Sequence, residues 1–236
     1  APGVDSTGLL LRTDATGELL WWRETPAVPW GLLTFPNGDI VVYGWGVRYE
    51  YIVALERYDP AGNLLWEGAP ALTAPVRIGV ALSDTTMALI NGEGLEKRIA
   101  MVTGGGAEFD AYYLGGIVDD IAAGPDQDVL ISRSNSGPPQ EHRIQRFDAA
   151  LEPTATVYFM QGAPVKDRLQ AMVLSPGNGL FLTGERRTTD DDSGHVVIYG
   201  LDADHVLQSE QLLDPNAIGT YPTRRSIGYC LAACAD

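Results

Sequence analysis

The sequence predicts an all-β fold, a β-propeller of about five four-stranded blades. The main evidence is an internal repeat, because residues 11–21 and 56–66 are near copies separated by 45 positions. The matched pairs are Asp14 and Asp59, Gly17 and Gly62, and Trp21 and Trp66. A fixed period in the 40s, built from short apolar runs and turn residues, is typical of propeller blades.

The best copy of the repeat predicts four strands, which we label A (33–35), B (40–44), C (51–58) and D (63–67). The residues between C and D read Asp-Pro-Ala-Gly at 59–62. Proline presets φ near about −65° and glycine accepts positive φ, as a type I turn followed by a bulge requires. The repeated tryptophan then falls on strand D, where we expect the ring to pack between neighbouring blades.

Fainter copies of the repeat follow further along the chain. The third turn is placed at Gly104, the fourth at Asp148 and the fifth at Asp202. The last interval is longer, and the excess coincides with the polar stretch 186–194. An apolar run such as Leu32–Phe35, closed by a Pro/Gly/Asp/Asn turn and followed by a second apolar run, precedes most of these turns, which indicates strands A and B.

The pattern Asp-x-x-Gly-x-x-x-Trp after an apolar strand resembles the repeat of the pyrroloquinoline-quinone-like propeller superfamily and of related bacterial extracellular proteins. The match is full in the first two copies, whereas the third has Gly104 for aspartate and the last two place Val157 and Glu210 near the tryptophan position. The resemblance implies the scaffold. Quinoprotein dehydrogenases of the superfamily use a vicinal disulfide, and because this chain has no adjacent cysteines, the cofactor is not carried over.

The two ends of the chain are predicted to share one closing blade. Residues 8–12 resemble a strand C, and residues 227–232 have the small apolar composition of an innermost strand A. Backbone groups of such strands need partners, so we expect strand B to be missing or supplied by residues 1–7 or by another chain. The alternative is that the sequence is a piece of a longer protein.

Composition narrows the class of protein. A chain of 236 residues that is 45% hydrophobic fits one all-β domain over 1–236. No run of about 18 apolar residues occurs, which predicts no membrane span. The net charge of −15 argues against nucleic-acid binding. Cys230 and Cys234 are interpreted as buried apolar residues, or as a pair that needs a turn between them to form a bridge. We expect a secreted or cell-envelope bacterial protein.

Candidate metal ligands are few. The three histidines, His142, His195 and His205, show no ligand spacing. The acidic run Asp190, Asp191 and Asp192 is a candidate calcium site, because calcium takes several carboxylate oxygens. A solvated hairpin tip is the alternative interpretation of the same run. No other cofactor is predicted.

The predicted function is a binding or scaffolding module that uses the face formed by the D–A and B–C loops, with a protein or glycan as partner. Aromatic residues beside arginines are enriched at binding surfaces. The predicted contact residues are Trp45, Arg48, Tyr49, Tyr51, Arg133, Glu141, His142, Arg186 and Arg187.

Two alternatives stay open. One is a carbohydrate-active propeller enzyme of the glycosidase type, which needs a separated pair of carboxyl groups. The carboxylates placed near the start of strand A or in D–A connections are Asp119, Asp120, Asp167 and Glu24. The other is a fragment of a quinoprotein-like propeller. No catalytic residue is assigned.

Overall fold

The computed structural model describes residues 8–25, 27–46, 53–68, 76–93, 96–135, 140–163, 166–187 and 195–213. Regular secondary structure in these ranges is β-strand throughout, and they contain no helix long and apolar enough to cross a membrane. The chain forms two compact units, Ala1–Gly115 and Gly116–Asp236. The single domain predicted for 1–236 stays a prediction.

Unit 1 contains a two-stranded N-terminal hairpin and two four-stranded antiparallel sheets, which we call blades 1 and 2. The hairpin pairs β1 (Gly8–Thr13) with β2 (Leu19–Thr25). Blade 1 is formed by β3 (Ala27–Thr34), β4 (Ile40–Gly46), β5 (Val53–Tyr58) and β6 (Leu64–Gly68). Blade 2 is formed by β7 (Val76–Ser83), β8 (Thr86–Glu93), β9 (Glu96–Thr103) and β10 (Glu108–Gly115).

Unit 2 contains blades 3 and 4, again with the strands paired in chain order. Blade 3 is formed by β11 (Ile117–Ala123), β12 (Val129–Ser134), β13 (Gln140–Phe147) and β14 (Pro153–Ala163). Blade 4 is formed by β15 (Lys166–Leu174), β16 (Leu180–Arg187), β17 (His195–Leu201) and β18 (Leu207–Leu213). Burial is greatest in middle strands such as β12, whereas β18 is mostly exposed, as a strand at the outer edge should be.

The first two predicted repeat turns have the same geometry. In both Asp14–Glu18 and Asp59–Asn63, the first N–H donates to the fifth carbonyl, and the fourth N–H donates to the first carbonyl, at 2.9–3.1 Å. The aspartate Oδ1 also accepts the fifth N–H, at 2.9 and 2.8 Å. The prediction of equivalent C–D turns is therefore confirmed.

The third turn lies one residue earlier than predicted. It spans Thr103–Ala107, so Thr103 and not Gly104 takes the place of the aspartate. The Thr103 hydroxyl accepts the Ala107 N–H at 3.1 Å, as an aspartate carboxylate does in the other turns. The fourth and fifth turns, Asp148–Glu152 and Asp202–Val206, follow the predicted positions.

The fourth residue of each turn has positive φ, from +55° to +86°. Glycine fills this position in the first three turns, where the left-handed conformation costs it nothing. Leu151 and His205 fill it in the last two. Both side chains are buried, so tertiary packing holds a backbone conformation that these residues disfavour.

The N-terminal hairpin is attached to blade 1 through two side chains that share one acceptor. The Arg12 guanidinium and the Trp21 indole N–H both donate to the Pro60 carbonyl, at 2.8 and 3.0 Å. The indole also covers Gly62, where a Cβ would stand 2.7 Å from the ring. The turn glycine is thus required twice, for its φ and for close approach of the ring.

An equivalent arginine and tryptophan join blade 1 to blade 2. The Arg57 guanidinium donates to the Gly104 carbonyl at 2.9 Å, and the Trp66 indole N–H donates to the same oxygen. The Trp66 ring lies over Gly106, where a Cβ would stand 3.0 Å from it. The prediction that the repeated tryptophans lie on outer strands and contact the next blade is confirmed. We call this arrangement the Arg/Trp clasp.

The later blades lack the tryptophan of the clasp. Register places Asp110, Ala155 and Ser209 where Trp66 stands in blade 1, because each pairs with the residue equivalent to Arg57. The sequence had placed Val157 and Glu210 there, two and one positions too far along the strand. The turn geometry determines which residues of strands C and D pair. In the fainter copies, the sequence did not locate the strand position after the turn closely enough.

The cores lie between sheets within each unit. In unit 1 the core combines blades 1 and 2: Leu33, Phe35, Val41, Tyr43 and Leu55 with Val76, Met87, Leu89, Ala100 and Val102. In unit 2 it combines blades 3 and 4: Ala122, Leu130, Ile144 and Phe159 with Leu169, Met172, Leu180, Leu182, Val197, Tyr199 and Leu201. Apolar residues from facing sheets thus bury each other, as in sheet-on-sheet packing.

The terminal prediction is tested in part. Residues 8–25 form the C–D hairpin expected for the closing blade. Residues 1–7 and 227–232, together with Cys230 and Cys234, lie outside the described residues, so the shared closing blade stays a prediction.

Candidate functional site

A one-residue β-bulge interrupts the first strand of all four blades at the same structural position. The bulged residues, identified by a register shift against the second strand, are Trp30, Arg77, Asp119 and Gln170. Bulges re-aim side chains and are common next to active sites. These four residues therefore mark a position where the scaffold displays side chains.

The chemistry at this position differs from blade to blade, although the backbone geometry is constant. The four bulged residues are an aromatic, a cation, an acid and an amide. Three residues later, all four blades have an aliphatic residue: Leu33, Val80, Ala122 and Val173. A position that serves only packing keeps its apolar character, so the bulged residues are not core positions, and Trp30 and Arg77 are exposed.

In unit 1 the two bulged side chains are in contact. The Arg77 guanidinium carbon lies over the Trp30 ring, 5.6 Å from its centroid. Trp30 is 44% exposed, and Arg77 is exposed as well. The next residue, Gly31, has no room for a Cβ because the Tyr43 hydroxyl packs against its backbone. The buried Tyr43 ring thus supports the bulge from below.

In unit 2 the bulge carries two adjacent carboxylates. Asp119 Oδ1 accepts the Ser134 hydroxyl at 3.0 Å. Asp120 Oδ2 accepts the Met172 N–H, from the first strand of blade 4, at 2.6 Å. Burial raises the pKa of Asp120 to about 6, which lets this carboxyl group give up or take a proton in mildly acidic solution.

The predicted contact residues fall partly outside the described structure. Arg48, Tyr49, Tyr51 and the acidic run Asp190–Asp192 lie outside it, as do the side chains of Trp45 in β4 and Arg187 in β16. The calcium site at 190–192 therefore stays a prediction. Among the residues that are described, no three His, Cys, Asp or Glu side chains cluster as metal ligands would.

Three of the predicted residues lie together in blade 3 but not as one cluster. Arg133 is buried and donates to Gln145 Oε1 at 2.6 Å. The Glu141 N–H donates to Asn135 Oδ1 at 2.9 Å, and the Glu141 carbonyl accepts the Asn135 N–H at 3.2 Å. His142 pairs with Ser134, the neighbour of Arg133 along β12, so the Arg133 and His142 side chains project from opposite faces of the sheet.

Arg186 belongs to a buried network that contains one residue from each strand of blade 4. It donates to both carboxylate oxygens of Asp167 at 2.9 Å, to the Tyr199 hydroxyl at 2.6 Å and to Glu210 at 2.5 Å. The hydrogen bonds to Asp167 raise the pKa of Arg186. Asp167, a candidate carboxylate for the enzyme, is thus held as the structural partner of Arg186. Glu24 is exposed on β2.

His142 is fully buried, and neither ring nitrogen has a hydrogen-bond partner among the described residues. Its ring stacks on Phe159, with centroids 5.9 Å apart, and Phe159 contacts Tyr199 edge-on. Burial lowers the pKa of His142. The ring is therefore a neutral member of the unit 2 core.

We expect the variant His142→Leu to remove part of the acid sensitivity of folding. The unfolded chain takes up a proton near pH 6.5, whereas the folded chain does so only at lower pH. The folded state of the natural protein therefore loses stability as the pH falls below 6.5, by up to about 1.4 kcal/mol per pH unit.

Urea unfolding of both proteins between pH 7.5 and 5 measures this difference. Burial also lowers the pKa of His205, but this residue is present in both proteins, so its contribution cancels in the difference between them. A constant difference between the two proteins over this pH range would contradict the prediction.

Sequence reasoning missed Trp30, Arg77 and Gln170. The bulges were identified from the pairing of the first and second strands, and the sequence does not show which residues pair. A weak signal was present in β3, because an isolated glycine inside a strand, here Gly31, often marks a bulge.

Comparison with solved structures identifies the fold. The chain is similar to a protein of unknown function from Bacteroides caccae (14% identity, TM-score 0.60), covering 84% of this chain and 72% of that one. It is similar to BamB from Moraxella catarrhalis (15%, 0.50; 83% and 65%). It is also similar to an α-L-arabinanase from Penicillium chrysogenum in complex with arabinobiose (14%, 0.54; 81% and 67%).

No protein-family profile matches the chain, and no curated protein is significantly similar to it. The chain spans about two thirds of the length of BamB and of the arabinanase. At these identities the comparisons establish the scaffold only. Together with the four-stranded blades, they confirm the predicted β-propeller fold.

Proposed function

We propose that this chain is a binding module whose ligand, a protein or a glycan, is held in unit 1, at the end of blades 1 and 2 where their first strands begin. The observation that carries the proposal is the repeated bulge, which displays four different side chains from one backbone position. Residues on a rigid scaffold near loop ends commonly carry function. Trp and Arg, the pair displayed in unit 1, dominate binding energy at many interfaces.

The surroundings of the bulges agree with this role. In blades 1 and 2 the second strand ends, and the third strand begins, at the same end of the blade as the bulge. BamB and the arabinanase show that the scaffold supports very different proteins. A secreted or cell-envelope location is part of the proposal and is supported by the resemblance of the repeat to extracellular propellers.

The test compares two tryptophans of similar exposure in unit 1. Trp30→Ala removes a bulged side chain, whereas Trp22→Ala removes a side chain of the N-terminal hairpin that is 52% exposed and is not part of a bulge. The natural protein is screened on glycan and peptide arrays, and its best ligand is then titrated. We expect Trp30→Ala to weaken binding about 30-fold and Trp22→Ala to change it little. Equal effects of the two variants would refute the proposed binding end.

A second candidate, a carbohydrate-active enzyme, is favoured by one observation, the Asp120 carboxyl with its raised pKa in unit 2. A carboxylic acid with a pKa near 6 can protonate a leaving group. If the chain hydrolyses nitrophenyl glycosides or arabinan, Asp120→Asn should lower kcat by about 100-fold or more. The matched control is Asp126→Asn, whose side chain is 82% exposed. Full activity of Asp120→Asn would eliminate this candidate.

A further inference from the structure

We infer that the Trp30–Arg77 site of unit 1 binds a glycan carrying an isolated uronic-acid carboxylate; the inference rests on the proposed binding function. The first ground is the charge of Arg77. Within the described ranges its guanidinium has no ion-pair partner, whereas four other arginines there pair with carboxylates. The chain has 31 acidic and 16 basic residues, and the Arg77 side chain is exposed, so its guanidinium is accessible to an anionic group of a ligand.

The second ground is the geometry of the donors. A guanidinium presents its N–H groups as a planar fork that matches the two oxygens of a carboxylate. The Trp30 ring holds the guanidinium from one side, which restricts its motion and leaves N–H groups directed to solvent. Such a fixed cation is suited to a carboxylate ligand.

The third ground is the exposed indole. One face of a pyranose ring carries C–H groups and packs on an aromatic surface, while its hydroxyls stay in water. Trp30 offers such a surface. The tight packing of Tyr43 against Gly31 restricts the backbone at the residue next to Trp30.

The bulges favour a glycan over an extended peptide. A peptide that adds to the edge of a sheet needs a regular row of backbone donors and acceptors. The bulges at Trp30 and Arg77 interrupt that row on β3 and β7, the first strands of blades 1 and 2. Side-chain recognition of a sugar needs no such row.

The net charge limits how acidic the ligand can be. A chain with a formal charge of −15 repels polyanions at long range. A glycan whose other sugars are neutral and that carries a single uronic acid avoids most of this repulsion and still supplies the carboxylate. We therefore assign the site to such sparsely charged glycans.

The experiment uses two probes, xylotriose bearing one glucuronic acid and the methyl ester of the same compound. Binding is measured by calorimetry and by tryptophan fluorescence. We expect the acid to bind about tenfold tighter than the ester. Arg77→Gln should abolish that preference and leave the affinity for the ester unchanged, while Trp30→Ala should weaken both. The control Arg168→Gln alters an exposed arginine of unit 2 and should change nothing.

Equal affinity for acid and ester, or a preference that survives Arg77→Gln, overturns the inference. So does absence of binding by both probes, or a clear preference of the site for acidic peptides. In these cases the proposed binding function still stands if the best array ligand depends on Trp30. It fails separately if that ligand binds Trp30→Ala as well as the natural protein.

Discussion

Replacing Arg186 with methionine is expected to lower the free energy of unfolding by about 3–5 kcal/mol. The substitution leaves the Asp167 carboxylate, whose side chain is 0% exposed, without its cation. The Tyr199 hydroxyl still donates to Asp167, but one neutral donor does not replace a bidentate guanidinium. Urea unfolding of the full chain at pH 7, followed by circular dichroism, measures the loss.

Two further proteins define the origin of this effect. Arg168→Met removes the exposed arginine next to Asp167 and should cost less than about 0.5 kcal/mol. The double variant Asp167→Asn with Arg186→Met removes the buried charge and should recover part of the loss. A single Arg186→Met variant as stable as the natural protein would show that the network does not stabilise blade 4.

Replacing Arg57 with methionine is expected to cost about 3–5 kcal/mol as well, in this case in unit 1. Arg57 is buried and donates to Asp39 at 2.9 and 2.6 Å and to the Asp84 and Gly104 carbonyls of blade 2 at 2.9 Å. Its guanidinium also lies 4.1 Å from the centre of the Phe35 ring. The variant therefore leaves the buried Asp39 carboxylate without its cation and weakens the connection between blades 1 and 2.

Hydrogen exchange locates this second effect. Amides of blades 1 and 2 should lose protection from exchange in Arg57→Met, because loss of the clasp lowers the free energy needed to open these blades. Arg77→Met, which changes an exposed arginine of the same unit, is the control and should leave exchange unchanged. If the amides of blade 2 exchange at the natural rate in Arg57→Met, the clasp does not couple the two blades.

The sequence was sufficient to predict the repeat and those of its turns whose structure depends only on neighbouring residues. The Asp14 and Asp59 turns depend on one carboxylate and one glycine, both visible in the sequence. The third turn was displaced by one residue, because Thr103 performs the hydrogen bonding of an aspartate with a hydroxyl. Similarity of residue type alone does not reveal that substitution.

The candidate site was less predictable, because it depends on contacts between distant strands. Arg186 was expected at a loop surface, yet its partners lie 19 and 24 residues away on other strands of the same blade. Trp30 was not selected, since only the pairing of β3 with β4 shows that it is bulged. Residues whose role depends on register are predictable only after the register is known.

The Arg/Trp clasps also bear on the order in which the chain can fold. Each donor reaches forward to an acceptor between 38 and 48 residues later. The contacts that join successive sheets of unit 1 are thus short in sequence, and each becomes available once the next turn has been synthesised. Contacts between sheets that follow each other in sequence close shorter loops, at a lower entropic cost, than contacts between distant sheets would. Unit 1 is therefore suited to assemble from its N-terminus, one sheet at a time, during translation.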